Sequence, residues 1–163
     1  MVIRTFLILI ILTTPVFSEC FNTIPSSDKL IKNIEIDINK DRKFFETISK
    51  LYLSSPLRPV IYSTPTKKRY KAKLRINFLE GGYCIYKSSI RAHGDGSDHI
   101  EMINGYPISS LRVSLKKGNI KGITRFKLMR PKTREYANEI FATTLFNSVG
   151  FLSPRTFIIN VKI

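Results

Sequence analysis

The strongest constraint on the fold is a strict alternation of side chains between residues 70 and 78. Every second residue from Tyr70 to Phe78 is apolar, and the intervening positions are Lys71, Lys73, Arg75 and Asn77. This is the period of a half-buried β-strand. Glu80, Gly81 and Gly82 then predict a turn, and we expect residues 83–91 to form the antiparallel return strand. The segment therefore predicts a β-hairpin whose first strand has one basic face.

Further strands are indicated by the same period. Ile34, Ile36 and Ile38 alternate with acids, which predicts an earlier strand. After a polar loop, residues 111–115 and a strand through Phe126 and Leu128 flank a turn at 118–119, so we expect a second hairpin. The apolar positions of residues 155–163 predict a final strand.

Two helices are predicted between these strands. Asp41 caps the first, whose apolar side chains are Phe44, Phe45, Ile48, Leu51 and Tyr52 and which ends before Pro56. The second has apolar residues at helical spacing, which predicts a packing face made of Tyr136, Ala137, Ile140, Phe141, Thr144, Leu145 and Val149. Gly150 suits the left-handed residue after its end, and Phe151 can pack back on its last turn. The predicted fold class is α+β, an antiparallel sheet of hairpins with two packed helices.

The charge balance restricts the partners. The 163 residues include 27 Lys and Arg but only 12 Asp and Glu, a formal net charge of +15. Such a surface attracts anions over about a Debye length. Candidate partners are nucleotides, nucleic acid, anionic glycans and acidic membranes.

The N-terminus resembles an export signal. Arg4 precedes an apolar run over residues 6–12, and small residues stand at Val16 and Ser18. The sequence predicts a signal peptide over residues 1–18, cleaved after Ser18, and one exported domain over residues 19–163. An uncleaved membrane anchor is the weaker alternative, because the apolar run is about half the length of a membrane span.

Cys20 and Cys84 are the two cysteines of the chain. An oxidising compartment would allow them to pair. The alternative is that Cys84 is a buried small apolar residue while Cys20 lies on a frayed terminus. The sequence leaves both open.

The loop over residues 91–99 concentrates chemically capable side chains. Its candidate contacts to a phosphate or nucleotide are Arg91, His93, Gly94, Gly96 and Ser97. Glycines let backbone amides approach a ligand, and successive amides form anion-binding concavities. The competing interpretation is an ordinary hairpin loop, since turns use the same residue types.

Two other kinds of site are conceivable. A metal could bind at His93, Asp95, Asp98 and His99. The basic strand with Lys71, Lys73 and Arg75 could follow the phosphates of a nucleic acid or another anionic polymer. Export argues against nucleic acid as the native partner.

Several of these residues occur in an order that resembles a known family. The order is Arg91 before a Gly-Asp-Gly-Ser loop, the strand Leu-Arg-Val-Ser-Leu over residues 111–115, Phe-Lys-Leu over 126–128, an apolar helix, and Val-Gly-Phe-Leu-Ser-Pro-Arg-Thr over 149–156. It is similar to that of CotH-type (spore coat protein H) atypical kinases. The likeness covers roughly residues 74–163, and Asp98 and His99 stand where the family usually has serines.

The resemblance implies the nucleotide-side lobe of an atypical protein-kinase-like fold. It implies ATP and Mg²⁺ as cofactors and a secreted protein as substrate. Arg112, Lys127 and Glu139 would support the nucleotide, and Asp95 and Asp98 would hold the metal. The family's catalytic aspartates lie beyond residue 163, so we expect a chain truncated relative to the family and inactive alone. The alternative is a non-enzymatic surface module that binds anionic polymers.

Overall fold

A computed structural model describes residues 30–54, 68–94 and 97–163, apart from the side chains of Ser54, Ser97 and Arg134. Its strands are β1 (Ile31–Ile38), β2 (Tyr70–Phe78), β3 (Tyr83–Ala92), β4 (Ile100–Ile103), β5 (Tyr106–Ser109), β6 (Leu111–Leu115), β7 (Arg125–Leu128) and β8 (Asn160–Lys162). The helices are α1 (Asp41–Ser54) and α2 (Asn138–Ser148). The mixed α+β class is confirmed. The predicted signal peptide, Cys20, Asp95 and Gly96 lie outside the described residues.

Six strands form one curled sheet in the order β7-β6-β3-β2-β1-β8. Every neighbouring pair is antiparallel except β1 and β8, which run parallel. Both predicted hairpins are confirmed, β2 with β3 and β6 with β7. The register of the first places Lys73 opposite Lys87, which puts the odd-numbered residues of both strands on one face.

β4 and β5 form a short hairpin within the segment that the sequence predicts to be a polar loop. Asn104 and Gly105 turn between its strands with φ of 50° and 81°. Asn-Gly is a strong signal for a tight hairpin turn, because both residues tolerate positive φ. This dipeptide is the sequence signal that could have revealed the hairpin.

The core lies between the sheet and α1. Of the apolar side chains predicted for α1, Phe44, Ile48 and Leu51 are buried and Phe45 is half-buried, whereas Tyr52 is exposed. The ring of Phe44 meets Tyr70 edge-on at 5.3 Å between ring centroids, so α1 covers the apolar face of β2. Lys71 and Lys73 point from the opposite face and are exposed.

Cys84 is buried in this core and is disulfide-bonded. Its buried position matches the one expected from the strand pattern. The predicted partner, Cys20, lies outside the described residues.

The predicted packing face of α2 is wrong. Thr143 is the buried residue of this helix, whereas Phe141, Leu145 and Val149 are exposed. Helical periodicity shows which side chains share a face, but a face is buried only when another surface covers it. Among the described residues, α2 is tied to the chain that follows it, where Ser153 Oγ donates to the Thr143 carbonyl at 3.1 Å.

The predicted end of α2 is confirmed. Gly150 has φ of 84°, and the amide of Phe151 donates to the Phe146 carbonyl at 2.9 Å. The rings of Phe146 and Phe151 meet edge-on at 6.2 Å.

The last predicted strand is shorter than expected. Only Asn160–Lys162 pair with a neighbour, opposite Asn33, Ile34 and Glu35. Phe157 and Ile158 are exposed outside the sheet. Within the described ranges, the helices include none with the length and apolar character needed to cross a bilayer.

Candidate anion-binding site

Three of the predicted nucleotide-binding residues come together on the sheet. Arg91 of β3 lies directly opposite Arg112 of β6, and Arg112 lies directly opposite Lys127 of β7. We call these three residues the basic row. Side chains of directly opposed residues begin about 4.5–5.5 Å apart at Cβ. The row therefore places three cations side by side across three strands.

A second row runs parallel to the first, two residues along each strand. It consists of Lys71, Ser89, Ser114 and Arg125, each opposite the next. We call it the polar row. Because side chains alternate in strands, both rows lie on the face that α1 does not cover.

A shallow depression lies between the two rows. Its lining residues are Arg69, Ser89, Ile90, Arg91, Arg112 and Ser114. Arg91 and Arg112 are half-buried there, and Ser89 is buried. Three guanidinium groups and two hydroxyls can all donate hydrogen bonds, and guanidinium groups match the geometry of phosphate oxygens.

The basic face becomes acidic at the β1 edge. Glu35 lies opposite Arg75, and Asp37 lies opposite Lys73. Arg75 Nη1 lies 4.0 Å from Glu35 Oε2, and its guanidinium covers the Tyr83 ring at 3.8 Å. Arg75, predicted to contact an anionic polymer, is thus engaged within the sheet, and the anion-attracting part of the face lies toward β7.

The loop after β3 is held by Ser110, which is completely buried. The His93 amide donates to the Ser110 carbonyl at 2.8 Å, and the Ser110 amide donates to the His99 carbonyl at 2.9 Å. Ser110 Oγ accepts from the Arg130 amide at 3.2 Å and lies 3.2 Å from His99 Nδ1. The rings of His93 and His99 are 6.0 Å apart between centroids, so both histidines stand at the end of β3.

Gly94 has a packing role in this loop. Its φ is 101°, and a Cβ built there would lie 1.9 Å from His99 Cγ. Only glycine fits beside that ring with this backbone. The structure thus accounts for the glycine at position 94 without a ligand.

The acidic end of the loop lies near Arg130. Arg130 Nη1 donates to the Asp98 carbonyl at 2.9 Å, and its other terminal nitrogen contacts the Glu101 carboxylate. Burial lowers the pKa of Arg130, and the charges of Asp98 and Tyr136 oppose that shift. In the part of the chain that the structure describes, no three metal-ligating side chains gather. The predicted ligand Asp95 lies outside that part.

Three other predicted site residues are Glu139, Ser97 and Gly96. Glu139 is half-buried in the first turn of α2, outside the basic row. Ser97 begins a short 3₁₀ turn, and its side chain is not described. Gly96 lies outside the described residues.

Sequence reasoning missed Arg69, Ser89 and Ser114 as neighbours of the basic row. Alternation indicates which face of its own strand a residue occupies. The register between β3 and β6 brings Ser89 opposite Ser114, 25 positions further along the chain. No local signal in the sequence specifies that register.

Comparison with known proteins does not test the family resemblance, which stays a prediction from the residues quoted above. No family model matches the chain, and no curated protein or solved structure matches it.

Proposed function

We propose that this chain is a phosphate-binding domain whose basic row holds the phosphate groups of a nucleotide. The observation that carries the proposal is the cross-strand alignment of Arg91, Arg112 and Lys127. Like charges directly opposite one another on a sheet are destabilising. A bound polyanion would offset that repulsion, because each charge-assisted hydrogen bond contributes about 1.5–3 kcal/mol.

The resemblance to CotH-type kinases favours ATP with Mg²⁺ as the ligand. It also favours export, with a secreted protein as the eventual phosphate acceptor. The proposal assigns binding, and not phosphoryl transfer, to the described residues. Transfer also requires a metal clamp and an acid or base that positions the acceptor.

Calorimetric titration with ATP, with and without Mg²⁺, tests the proposal. Arg112→Gln removes the central cation of the row and should weaken binding about 10-fold or more. Arg42→Gln is the matched control, because Arg42 lies on α1 and pairs with Glu46 at 3.1 Å, away from the basic row. Equal affinities in both variants would contradict the site, and no saturable heat at millimolar ATP would contradict the nucleotide.

A second candidate function is the binding of an anionic polymer. The supporting observation is that Lys71, Lys73, Lys87 and Arg125 extend the positive charge beyond the basic row on the same face. Strands lie about 4.8 Å apart, so the cations from β2 to β7 cover an area wider than one nucleotide's phosphates.

Titration with heparin at increasing NaCl separates the two functions. Polymer binding through many cations should weaken steeply as salt rises. Lys87→Gln should reduce heparin affinity and leave ATP affinity unchanged, because Lys87 is exposed on the same face but lies outside the basic row. A parallel loss of both ligands would show that one site serves both.

A further inference from the structure

Two serine hydroxyls lie side by side at the centre of the polar row. Ser89 of β3 lies directly opposite Ser114 of β6, and we call these two residues the serine pair. Both line the depression, together with two arginines of the basic row. Ser89 is only 6% exposed. Because the Cβ atoms of directly opposed residues lie about 4.5–5.5 Å apart, both hydroxyls can reach one small ligand.

The hydroxyls of the serine pair are not used to hold the described part of the chain together. The neighbouring Ser88 shows the contrast, because its Oγ donates to the Ala72 carbonyl at 3.0 Å on the opposite face of β3. Among the described residues, no group forms a hydrogen bond with the hydroxyl of Ser89 or Ser114. Both hydroxyls are therefore available to a ligand in the depression.

The charges around the serine pair are positive. Lys71 and Arg125 are the neighbours of the pair at the two ends of the polar row. Arg91 and Arg112 lie two residues further along the strands that carry the serines, and Arg69 also lines the depression. Cations on three sides of two neutral donors are suited to an anion with several oxygens.

We propose that the serine pair binds the terminal phosphate of the ligand and makes the site selective for phosphomonoesters over phosphodiesters. This inference rests on the proposed function, and it adds which phosphate is held and by which hydroxyls. At pH 7 a phosphomonoester carries a charge of about −1.5 to −2 and three acceptor oxygens. A phosphodiester has one free oxygen fewer and a smaller charge, so it leaves a donor of the site without an acceptor.

The hydroxyls and the cations contribute differently to this selectivity. The cations attract any anion, because Coulomb attraction depends on distance and not on direction. A hydroxyl contributes only when an acceptor oxygen lies within about 3 Å of it. The serine pair therefore determines which phosphate group fits, whereas the basic row supplies most of the affinity.

Calorimetric titration of the full chain with AMP and with 3′,5′-cyclic AMP tests the proposal. The two ligands share their adenosine and differ in whether the phosphate is a monoester or a diester. The wild-type chain should bind AMP about 10-fold or more tightly than cyclic AMP. Ser89→Ala and Ser114→Ala should each weaken AMP binding about 10-fold, and the double variant should lose most of the preference for AMP.

Ser88→Ala is the matched control. It removes the adjacent hydroxyl, which bonds the Ala72 carbonyl, so it should lower the urea midpoint of unfolding and leave AMP affinity unchanged. Ser89→Ala should do the reverse, because its hydroxyl is not engaged within the described chain. Circular dichroism should show the same folded spectrum for all variants.

Two results would overturn the selectivity: a wild-type chain that binds AMP and cyclic AMP equally, or serine variants that bind AMP as tightly as the wild type. If Arg112→Gln still weakens ATP binding, the proposed function survives either result. A wild-type chain with no saturable binding of ATP or AMP would overturn the selectivity together with the proposed function.

Discussion

The imidazole of His99 occupies the space into which a side chain at position 94 would project. The same ring lies beside Ser110 Oγ, and the backbone of Ser110 bonds both His93 and His99. A change at one glycine therefore reaches the group that joins the end of β3 to the start of β6. This makes Gly94 a stability position next to the candidate site.

Gly94→Ala should reduce the free energy of unfolding by about 2 kcal/mol or more. Both the positive φ and the overlap with His99 contribute to that loss. Gly105→Ala is the control, because Gly105 has φ of 81° but nothing within 4 Å of its added Cβ. Urea denaturation should therefore show a smaller loss for Gly105→Ala, and equal losses would contradict the packing role of the His99 ring.

The register of β3, β6 and β7 brings the residues of the candidate site together. Arg112 has an opposed cation on each side, Arg91 and Lys127. Like charges in this arrangement lower the stability of the sheet. The arrangement makes a specific prediction about the stability of the chain without ligand.

Arg112→Thr should raise the free energy of unfolding by a few tenths to about 1 kcal/mol in low-salt chloride buffer, because it relieves the repulsion and threonine favours strands. Ser114→Thr on the same strand controls for strand propensity alone. Millimolar inorganic phosphate should stabilise the wild-type chain more than Arg112→Thr. A variant less stable than the control in chloride would contradict the repulsive row.

Local sequence patterns predicted the strands and helices better than they predicted which faces of those elements are buried. The β2–β3 hairpin and the buried side of α1 followed from side-chain periods that each element carries alone. The exposure of Phe141, Leu145 and Val149 on α2 did not follow from periodicity, because burial depends on what lies opposite a helix. The basic row lies between these cases. The loop composition indicated Arg91 and the family resemblance implied Arg112 and Lys127, but only the register aligned them.

Eight lysines and arginines of β2, β3, β6 and β7 share one face of the sheet. Uncompensated like charges destabilise a compact state through self-repulsion. With a net charge of +15, repulsion between the positive charges of the chain is strongest at low ionic strength. Salt should therefore affect stability through the whole charge distribution.

Raising NaCl from 0.01 M to 0.15 M should increase the thermal unfolding midpoint, because the Debye length falls from about 30 Å to about 8 Å. Differential scanning calorimetry measures the midpoint. Choline chloride should give the same increase, since screening depends on ionic strength and not on the cation. A constant or falling midpoint would show that the positive charges are already compensated in the folded chain.

The parallel pairing of β1 with β8 determines when the sheet can be completed during synthesis. About 120 residues separate Ile38 from Asn160. At roughly 5–20 residues per second, a ribosome needs on the order of ten seconds to make that length. Throughout this interval the outer edge of β1 lacks its native neighbour, and an open strand edge is a template for pairing with other chains. The nascent chain is therefore most prone to aggregate before β8 leaves the ribosome.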